Sequence, residues 1–275
     1  MSENTKNNNN IPVVEKKEKI ETPFKTIWKR LRKNKLAMVG LFILVAMVLV
    51  CVFGPFFTQD PNKVNYTDGF LKPSSKYWFG TDTLGRDIFA RTLSAGRISL
   101  FVGIASVIIQ VVIGSILGAV AGYYGGIVDT IIMRIVDIFM SIPSLPLLIV
   151  LAAILSDLGI RPERRIFVVM AVIGLLNWPG LCRMVRGQIL SLREQEYMEA
   201  AEALGLTDSR KMFKHLLPNT IPVIIVSATL SLGGAILSES TLSFLGLGVQ
   251  PPTASWGNMI QSVYDMYNIQ YRPWL

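Results

Sequence analysis

The chain is dominated by apolar runs that are long enough to cross a lipid bilayer. The first run, residues 36–57, contains no charged side chain. Four further runs lie at residues 98–125, 127–155, 166–182 and 220–248. A helix needs about 20 apolar residues to span a hydrocarbon core of about 30 Å. Since 51% of the residues are hydrophobic and only 17% are charged, the sequence predicts an all-α polytopic membrane protein with five spans.

The segment ahead of the first run is strongly basic. Nine lysine and arginine residues lie between residues 16 and 35, and the whole chain has a formal net charge of +8. Positive charge beside a span marks the cytoplasmic side, so we expect a multi-pass cell-membrane protein with a cytoplasmic N-terminus. A basic arm could instead bind nucleic acid, but no aromatic interleaving or binding module accompanies it. We therefore expect membrane lipid as a partner and no nucleic acid.

Composition divides the chain into four segments. Residues 1–22 are polar and rich in asparagine, which predicts a disordered cytoplasmic tail. Residues 23–57 combine a short interfacial helix with the first membrane anchor. Residues 58–97 form an extracytoplasmic loop with several turn signals. Residues 98–275 form the transmembrane core, in which residues 194–219 are a charged cytoplasmic insert between the fourth and fifth spans.

The third span and the turn after it depart from a simple apolar helix. Pro143 and Pro146 interrupt the span, and proline kinks a membrane helix. The turn on the predicted outer side carries Arg161, Arg164 and Arg165, against the tendency of positive charge to stay inside. The sequence assigns no role to these three arginines.

The charged insert has helical periodicity in two pieces, which meet at a glycine. Residues 194–204 are good helix formers, and a helix places Tyr197, Ala201 and Leu204 on one side and acidic side chains on the other. Gly205 can adopt the left-handed conformation that ends a helix. By pattern alone, the commoner arrangement for such a segment is an amphipathic loop that lies on the membrane or on its own bundle.

The second piece predicts another short amphipathic helix. Thr207 is its candidate N-cap, and Leu217-Pro218 ends it, because the residue before a proline avoids the α region. Asn219 or Thr220 then caps the fifth span. The two helices form an elbow, residues 194–219, that projects into the cytosol.

The residues of this elbow resemble the EAA loop of ABC-importer permeases. The sequence EAA at residues 199–201, Gly205, and LP at residues 217–218 follow the spacing of that loop. His215 departs from the general consensus and, within the motif HLLPN, resembles the oligopeptide/dipeptide branch. Two further stretches resemble the same branch: residues 79–100 and 243–259.

The resemblance runs from residue 24 to the end of the chain and implies the MetI-like fold of a type I ABC importer permease, here the second, C-type permease subunit. The implied partners are a homologous second permease subunit, two cytoplasmic ATPase subunits that bind ATP and Mg, and an extracytoplasmic peptide-binding protein. The residues that the resemblance assigns to coupling with the ATPases are Glu199, Ala200, Ala201, Gly205, His215, Leu217 and Pro218. The chain has no Walker-type motif of its own, so we expect a transport subunit without an ATP site or other cofactor.

Members of this family normally continue into a sixth span after the position of residues 271–275. Five spans are visible here where six are expected, so we expect the core to be truncated at its C-terminus. The cargo and the direction of transport rest on the resemblance and not on residue chemistry.

Three ionisable residues inside the predicted spans are candidates for lining a translocation path: Arg134, Asp137 and Glu239. Arg134 and Asp137 are three residues apart and could instead pair on one helix. Glu239 is expected near the outer end of the fifth span, where it either contacts substrate or is hydrated. The alternative functions are an intramembrane enzyme that uses Glu239 or the region 129–137, and a passive channel subunit.

The glycines and cysteines of the apolar runs give two further predictions. Gly114, Gly118 and Gly122 recur every four residues in the second span, which predicts close packing against another helix. Cys51 and Cys182 lie in apolar runs and lack metal-type spacing. We therefore predict small hydrophobic roles for both cysteines, with no disulfide and no metal site.

Overall fold

The computed structural model describes residues 35–157, 159, 161–264 and 266–275. The predicted tail and interfacial helix, up to residue 34, lie outside the described residues. The chain divides into two units, residues 1–47 and 48–275, and the boundary falls within the first described helix. The other helices belong to the second unit. The described residues form helices without a regular strand, and in chain order these are α1 (Lys35–Phe53), α2 (Ile88–Tyr124), α3 (Gly126–Ser141), α4 (Ser144–Asp157), α5 (Pro162–Arg193), α6 (Glu196–Ala203), α7 (Asp208–Phe244), α8 (Trp256–Val263) and α9 (Met266–Tyr271).

The long apolar helices coincide with the predicted spans. Within the described residues, α1, α2, α5 and α7 contain stretches long and apolar enough to cross a membrane, and α3 with α4 makes a fifth candidate that is bent by 87°. The bend falls at Ile142, whose backbone is extended (φ −92°, ψ 127°). A residue before proline avoids the α region, and Pro143 follows Ile142 directly. The predicted all-α membrane fold is confirmed, with its third span broken at the prolines.

The segment between α1 and α2 is a folded loop, as its turn signals predict. The carboxylate of Asp68 accepts hydrogen bonds from the hydroxyl of Tyr77 at 2.8 Å and from the ammonium of Lys76 at 3.2 Å. These bonds, first that of Tyr77, hold the pKa of Asp68 below its ordinary value. The loop ends at Asp87, whose side chain caps α2, so the helix begins before the predicted start of the second span at residue 98.

α2 and α5 lie side by side and run in the same direction, and glycines let them approach closely. A Cβ at Gly118 would lie only 2.6 Å from the carbonyl oxygen of Cys182, and Gly114 and Gly122 are crowded by α5 in the same way. The predicted close packing of the second span is confirmed. Cys51 and Cys182 are buried free thiols, as predicted.

α7 runs in the opposite direction to α2 and closes the bundle. The amide of Gln110 in α2 donates a hydrogen bond to the hydroxyl of Ser231 in α7 at 3.0 Å. We call the end of the bundle with residues 54–87 the loop end, and the end with residues 194–207 the elbow end. Apolar side chains from α2, α4, α5 and α7 fill the core toward the loop end, among them Val102, Leu148, Ile173, Ala235 and Leu242.

Candidate functional site

The elbow begins with a short helix that a glycine terminates. The backbone N–H of Gly205 donates to the carbonyl of Glu202 at 2.8 Å, and that of Leu206 donates to the carbonyl of Ala201 at 3.1 Å. Gly205 itself has φ +68°. This pair of bonds is the Schellman termination, which needs a left-handed residue at the position of Gly205. The predicted helix and the left-handed glycine are both confirmed.

The second arm of the elbow does not end where the sequence predicts. The helix that starts at Asp208 continues to Phe244, through a π-helical stretch at Lys211–Leu216, so the predicted stop at Leu217-Pro218 is wrong. In this stretch the N–H of Leu217 reaches back to the carbonyl of Met212. The wider turns lie directly ahead of Pro218, which has no N–H to donate, and the helix continues through this proline.

The predicted N-cap position of Thr207 is confirmed, whereas the predicted cap at Asn219 or Thr220 is wrong. Thr207 occupies the N-cap position of α7, but its side chain makes no capping bond. Asn219 and Thr220 lie inside the helix, and their side chains donate to the carbonyls of His215 at 2.7 Å and of Leu217 at 2.8 Å. The capping groups are unnecessary because the helix has no second start there.

One face of the elbow is anchored in the bundle. Met198 from α6 and Met212 and Leu216 from α7 are buried, and they share an apolar cluster with side chains of α5 such as Val185 and Ile189. Because core packing is dense, a displacement of these side chains is transmitted to α5 and α7. The elbow is therefore part of the bundle's core at this end and not a loose loop.

The other face of the elbow presents large apolar side chains to the surroundings. Of the predicted stripe, only Ala201 is buried, while Tyr197 is 41% exposed and Leu204 is 79% exposed. Phe213 in the π-helical stretch is 44% exposed. Among the remaining coupling candidates, Glu199, Ala200, Gly205 and Pro218 are exposed and His215 and Leu217 are half-buried. Exposed aromatic and aliphatic side chains among charged ones are typical of a protein–protein contact surface.

Polar contacts that the sequence does not indicate tie the elbow to α2. The hydroxyl of Tyr123 donates to the carboxylate of Asp208 at 2.7 Å, and the ammonium of Lys211 lies 3.2 Å from the same carboxylate oxygen. From the end of α5, the guanidinium of Arg193 donates to the carbonyls of Gly122 and Tyr123, each at 3.3 Å. The second arm of the elbow and the end of α5, just ahead of the first arm, are thus fastened to the end of α2. Tyr123 and Asp208 are 85 positions apart in the sequence, so no local pattern could reveal the contact.

The ionisable residues of α3 pair with α5. The predicted pair of Arg134 with Asp137 is wrong, because Arg183 donates to the carboxylate of Asp137 at 2.7 Å. A second contact joins Asp129 to Arg186, whose Nε and Nη2 donate to the two carboxylate oxygens at 2.5 Å and 2.6 Å. Helical spacing identifies partners on one helix and does not reveal an arginine on a neighbouring helix. The contact of Arg186 with Asp129 is the stronger of the two, since both of its bonds form at once.

We expect Asp129→Asn to destabilise the isolated subunit far more than Asp137→Asn does. The Asp129–Arg186 pair is bidentate and mostly shielded, whereas Asp137 and Arg183 are both about half exposed. Loss of the shielded pair costs about 2 kcal/mol, or roughly 4–8 °C in melting temperature for a chain of this size, while an exposed pair is worth at most about 1 kcal/mol. Thermal unfolding of the two purified variants in detergent measures the difference. Equal shifts would contradict this assignment.

Glu239 does not lie with the α3 residues. It belongs to the loop end of the bundle, where its side chain is 0% exposed and accepts hydrogen bonds from the hydroxyls of Ser99 and Ser243. Hydration of Glu239 is therefore contradicted. The path-lining role of Arg134, Asp137 and Glu239 stays a prediction. Among the described residues, no group of three or more His, Cys, Asp or Glu side chains is placed to hold a metal ion.

The sequence matches two family models. Residues 111–269 match the binding-protein-dependent transport system inner membrane component, and residues 22–73 match the N-terminal transmembrane domain of oligopeptide transport permease C. The two matches together include α1, the first part of the folded loop and the elbow.

Curated relatives resemble the chain over most of its length. The oligopeptide transport system permease protein OppC of Bacillus subtilis is 42% identical over 262 residues, which are 94% of this chain and 83% of the relative. The dipeptide transport system permease protein DppC of the same species is 47% identical over 84% of this chain and 71% of the relative. The glutathione transport system permease protein GsiD of Shigella dysenteriae is 37% identical over 92% of this chain and 81% of the relative.

Proposed function

The chain belongs to the family of binding-protein-dependent transport system inner membrane components, and from that premise we propose that it serves an ATP-driven importer of peptides as the C-type permease subunit. It forms half of the translocation path and a homologous permease forms the other half. Two separate ATPase subunits bind ATP and Mg, and an extracytoplasmic binding protein delivers the peptide. The names of the relatives OppC and DppC support the peptide cargo.

The two faces of the elbow carry this proposal. Met198, Met212 and Leu216 anchor it in the core, while Tyr197 and Leu204 face outward, available to a partner. A surface that is exposed on one face and locked into the core on the other can convert movement of a docked ATPase into movement of the spans. A passive channel needs no such element, which favours an ATP-driven transporter over the channel alternative.

The basic residues support an orientation of the chain in the membrane. The elbow end carries Arg183, Arg186 and Arg193 on α5, while Arg161, Arg164 and Arg165 lie at its other end. The basic N-terminal segment ahead of α1 therefore decides the orientation. Positive charge near spans favours the cytoplasmic side. We place the elbow end and the N-terminus in the cytoplasm and the loop end outside, where the binding protein docks.

The experiment that tests this proposed function is reconstitution of the complete transporter in vesicles, with the binding protein supplied on the outside. We expect the ATPase subunits to copurify with this chain and labelled peptides from a mixed library to accumulate inside the vesicles only when ATP is hydrolysed. Accumulation without ATP would indicate a channel. Peptide cleavage by the permease pair in vesicles without ATPases would indicate an intramembrane enzyme. Either outcome would overturn the proposal.

A further inference from the structure

Glu239 is a fully buried carboxylate, and its hydrogen bonds to described residues come from three serine hydroxyls. That of Ser240 is the longest, at 3.5 Å. The hydroxyl of Ser99 in α2 donates to one carboxylate oxygen at 2.8 Å, and the hydroxyl of Ser243 donates to the other at 2.6 Å. Within the part of the chain that the structure describes, no cationic side chain forms an ion pair with Glu239. Burying an ionisable group costs free energy unless hydrogen bonds compensate it. A buried carboxylate at this position therefore indicates a role that an apolar side chain could not perform.

Ser99 and Ser243 also form hydrogen bonds with the segment that follows α7. We call residues 245–255, between α7 and α8, the capping loop. The hydroxyl oxygen of Ser243 accepts the backbone N–H of Val249 at 2.9 Å. That of Ser99 accepts the backbone N–H of Trp256, the first residue of α8, at 3.2 Å. The carboxylate of Glu239 is therefore joined through one serine to the middle of the capping loop and through the other to its end.

The capping loop is braced as one body and fits closely against α7. The side-chain amide of Asn258 donates to the carbonyls of Val249 at 3.1 Å and Thr253 at 2.9 Å. Gly248 and Gly257 lie so close to α7 that a Cβ at either position would collide with Ser243 or Ser240. The first turn of the loop is also held by backbone bonds from Leu247 and Gly248 to the carbonyl of Leu242. The serine bonds that Glu239 orients therefore act on the middle of the loop and on its end.

A carboxylate suits this junction better than an amide does. It accepts the hydroxyl hydrogens of Ser99 and Ser243 at once, one on each oxygen. The oxygens of these two serines therefore remain free to accept the backbone N–H groups of Trp256 and Val249. A glutamine offers only one acceptor oxygen, so one serine hydroxyl would lose its acceptor in a buried site. Buried hydrogen-bonding groups without partners are strongly disfavoured, and the loop segment next to that serine would detach more easily.

We propose that Glu239 is a positioning residue of the transport cycle that fastens the capping loop to α2 and α7, so that the loop moves with these helices when the loop end opens and closes. The fastening itself depends only on the contacts above. Its part in transport rests on the proposed function of the chain. In this role Glu239 acts through the loop.

The first test measures release of the capping loop in the purified chain in lipid nanodiscs. Ala254, which is 3% exposed in the loop, becomes a reporter as Ala254→Cys, and a chain without the reporter gives the background from the two buried native cysteines. We expect Glu239→Gln or Ser243→Ala to accelerate maleimide labelling of the reporter at least tenfold. The matched control is Thr241→Ala, because Thr241 lies on the same helix, is half-buried and donates to the carbonyl of Leu237 and not to Glu239. Unchanged labelling in both variants would overturn the fastening.

The second test uses the complete transporter in vesicles. We expect Glu239→Gln to lower peptide uptake per ATP hydrolysed at least fivefold, with unchanged copurification of the ATPases, while Thr241→Ala retains the parental ratio. Faster labelling with an unchanged uptake ratio would overturn the role in transport. Should Glu239→Gln fail to fold, Ser99→Ala and Ser243→Ala each remove a single hydroxyl and replace it in both tests. If the parent itself shows no ATP-dependent uptake, the proposed function fails while the labelling result still decides the fastening.

Discussion

Gly205→Glu is expected to abolish the coupling of ATP hydrolysis to transport in the complete transporter while the chain still inserts into the membrane. Gly205 has φ +68°, and a residue with a Cβ costs about 1–2 kcal/mol in this left-handed conformation. No atom lies within 4 Å of the place where a Cβ would be, so the glutamate side chain projects from the surface beside the exposed Leu204. The substitution therefore both shifts the bend and adds a charge where we propose that the ATPase docks. We expect binding-protein-stimulated hydrolysis to fall at least 20-fold.

The matched control is Gly205→Asn. Asparagine adopts the left-handed conformation far more readily than glutamate does and adds no charge, so we expect it to keep most of the stimulated hydrolysis. Membrane yield and copurification of the second permease separate a docking defect from a folding defect. If Gly205→Glu kept the parental rate of stimulated hydrolysis at normal membrane yield, this result would contradict the assignment of the elbow as the coupling element.

The features that could be predicted from the sequence are those that depend on neighbours along the chain. A long apolar run defines a span by its own length, and Ile142 before Pro143 breaks a helix through its own steric restriction. Gly205 belongs to the same class, because the left-handed position after α6 is set by two backbone bonds within one turn. For these residues the local rule and the folded structure agree.

The features that escaped prediction depend on residues far away in the chain. Asp137 pairs with Arg183 and not with Arg134, because the packing of α3 against α5 brings a second arginine within reach. Leu217-Pro218 does not end a helix, because buried Met212 and Leu216 hold the second arm in line with the fifth span. Local propensity is a weak signal when tertiary packing opposes it.

Glu239 shows the same limit at the other end of the bundle. A carboxylate near the end of a span is expected to reach water, and nothing in the sequence around it indicates otherwise. Its burial depends on Ser99, which is 140 positions away, and on the return of the chain over α7. The burial of an ionisable side chain is a property of the assembled fold, so composition and periodicity do not reveal it.

Gly118→Leu is expected to cause a large loss of stability at the α2–α5 contact. A Cβ at Gly118 would lie 2.6 Å from the carbonyl oxygen of Cys182 and 2.9 Å from the Cβ of Val185. The backbone of α5 has no rotamer to change, so the two helices must separate. Overpacking typically costs about 1–3 kcal/mol and sometimes more, so we expect the melting temperature of the purified subunit to fall by about 10 °C. Thermal unfolding in detergent measures this shift.

The control uses a glycine on the partner helix that has open space. A Cβ at Gly180 in α5 would meet no atom within 4 Å, and leucine is favoured over glycine inside a helix by up to about 1 kcal/mol. We therefore expect Gly180→Leu to leave the melting temperature of the isolated subunit unchanged or slightly higher. If both substitutions lowered it equally, leucine would harm the bundle wherever it stands. The contrast between Gly118 and Gly180 thus separates close approach of the two backbones from a general intolerance of bulk.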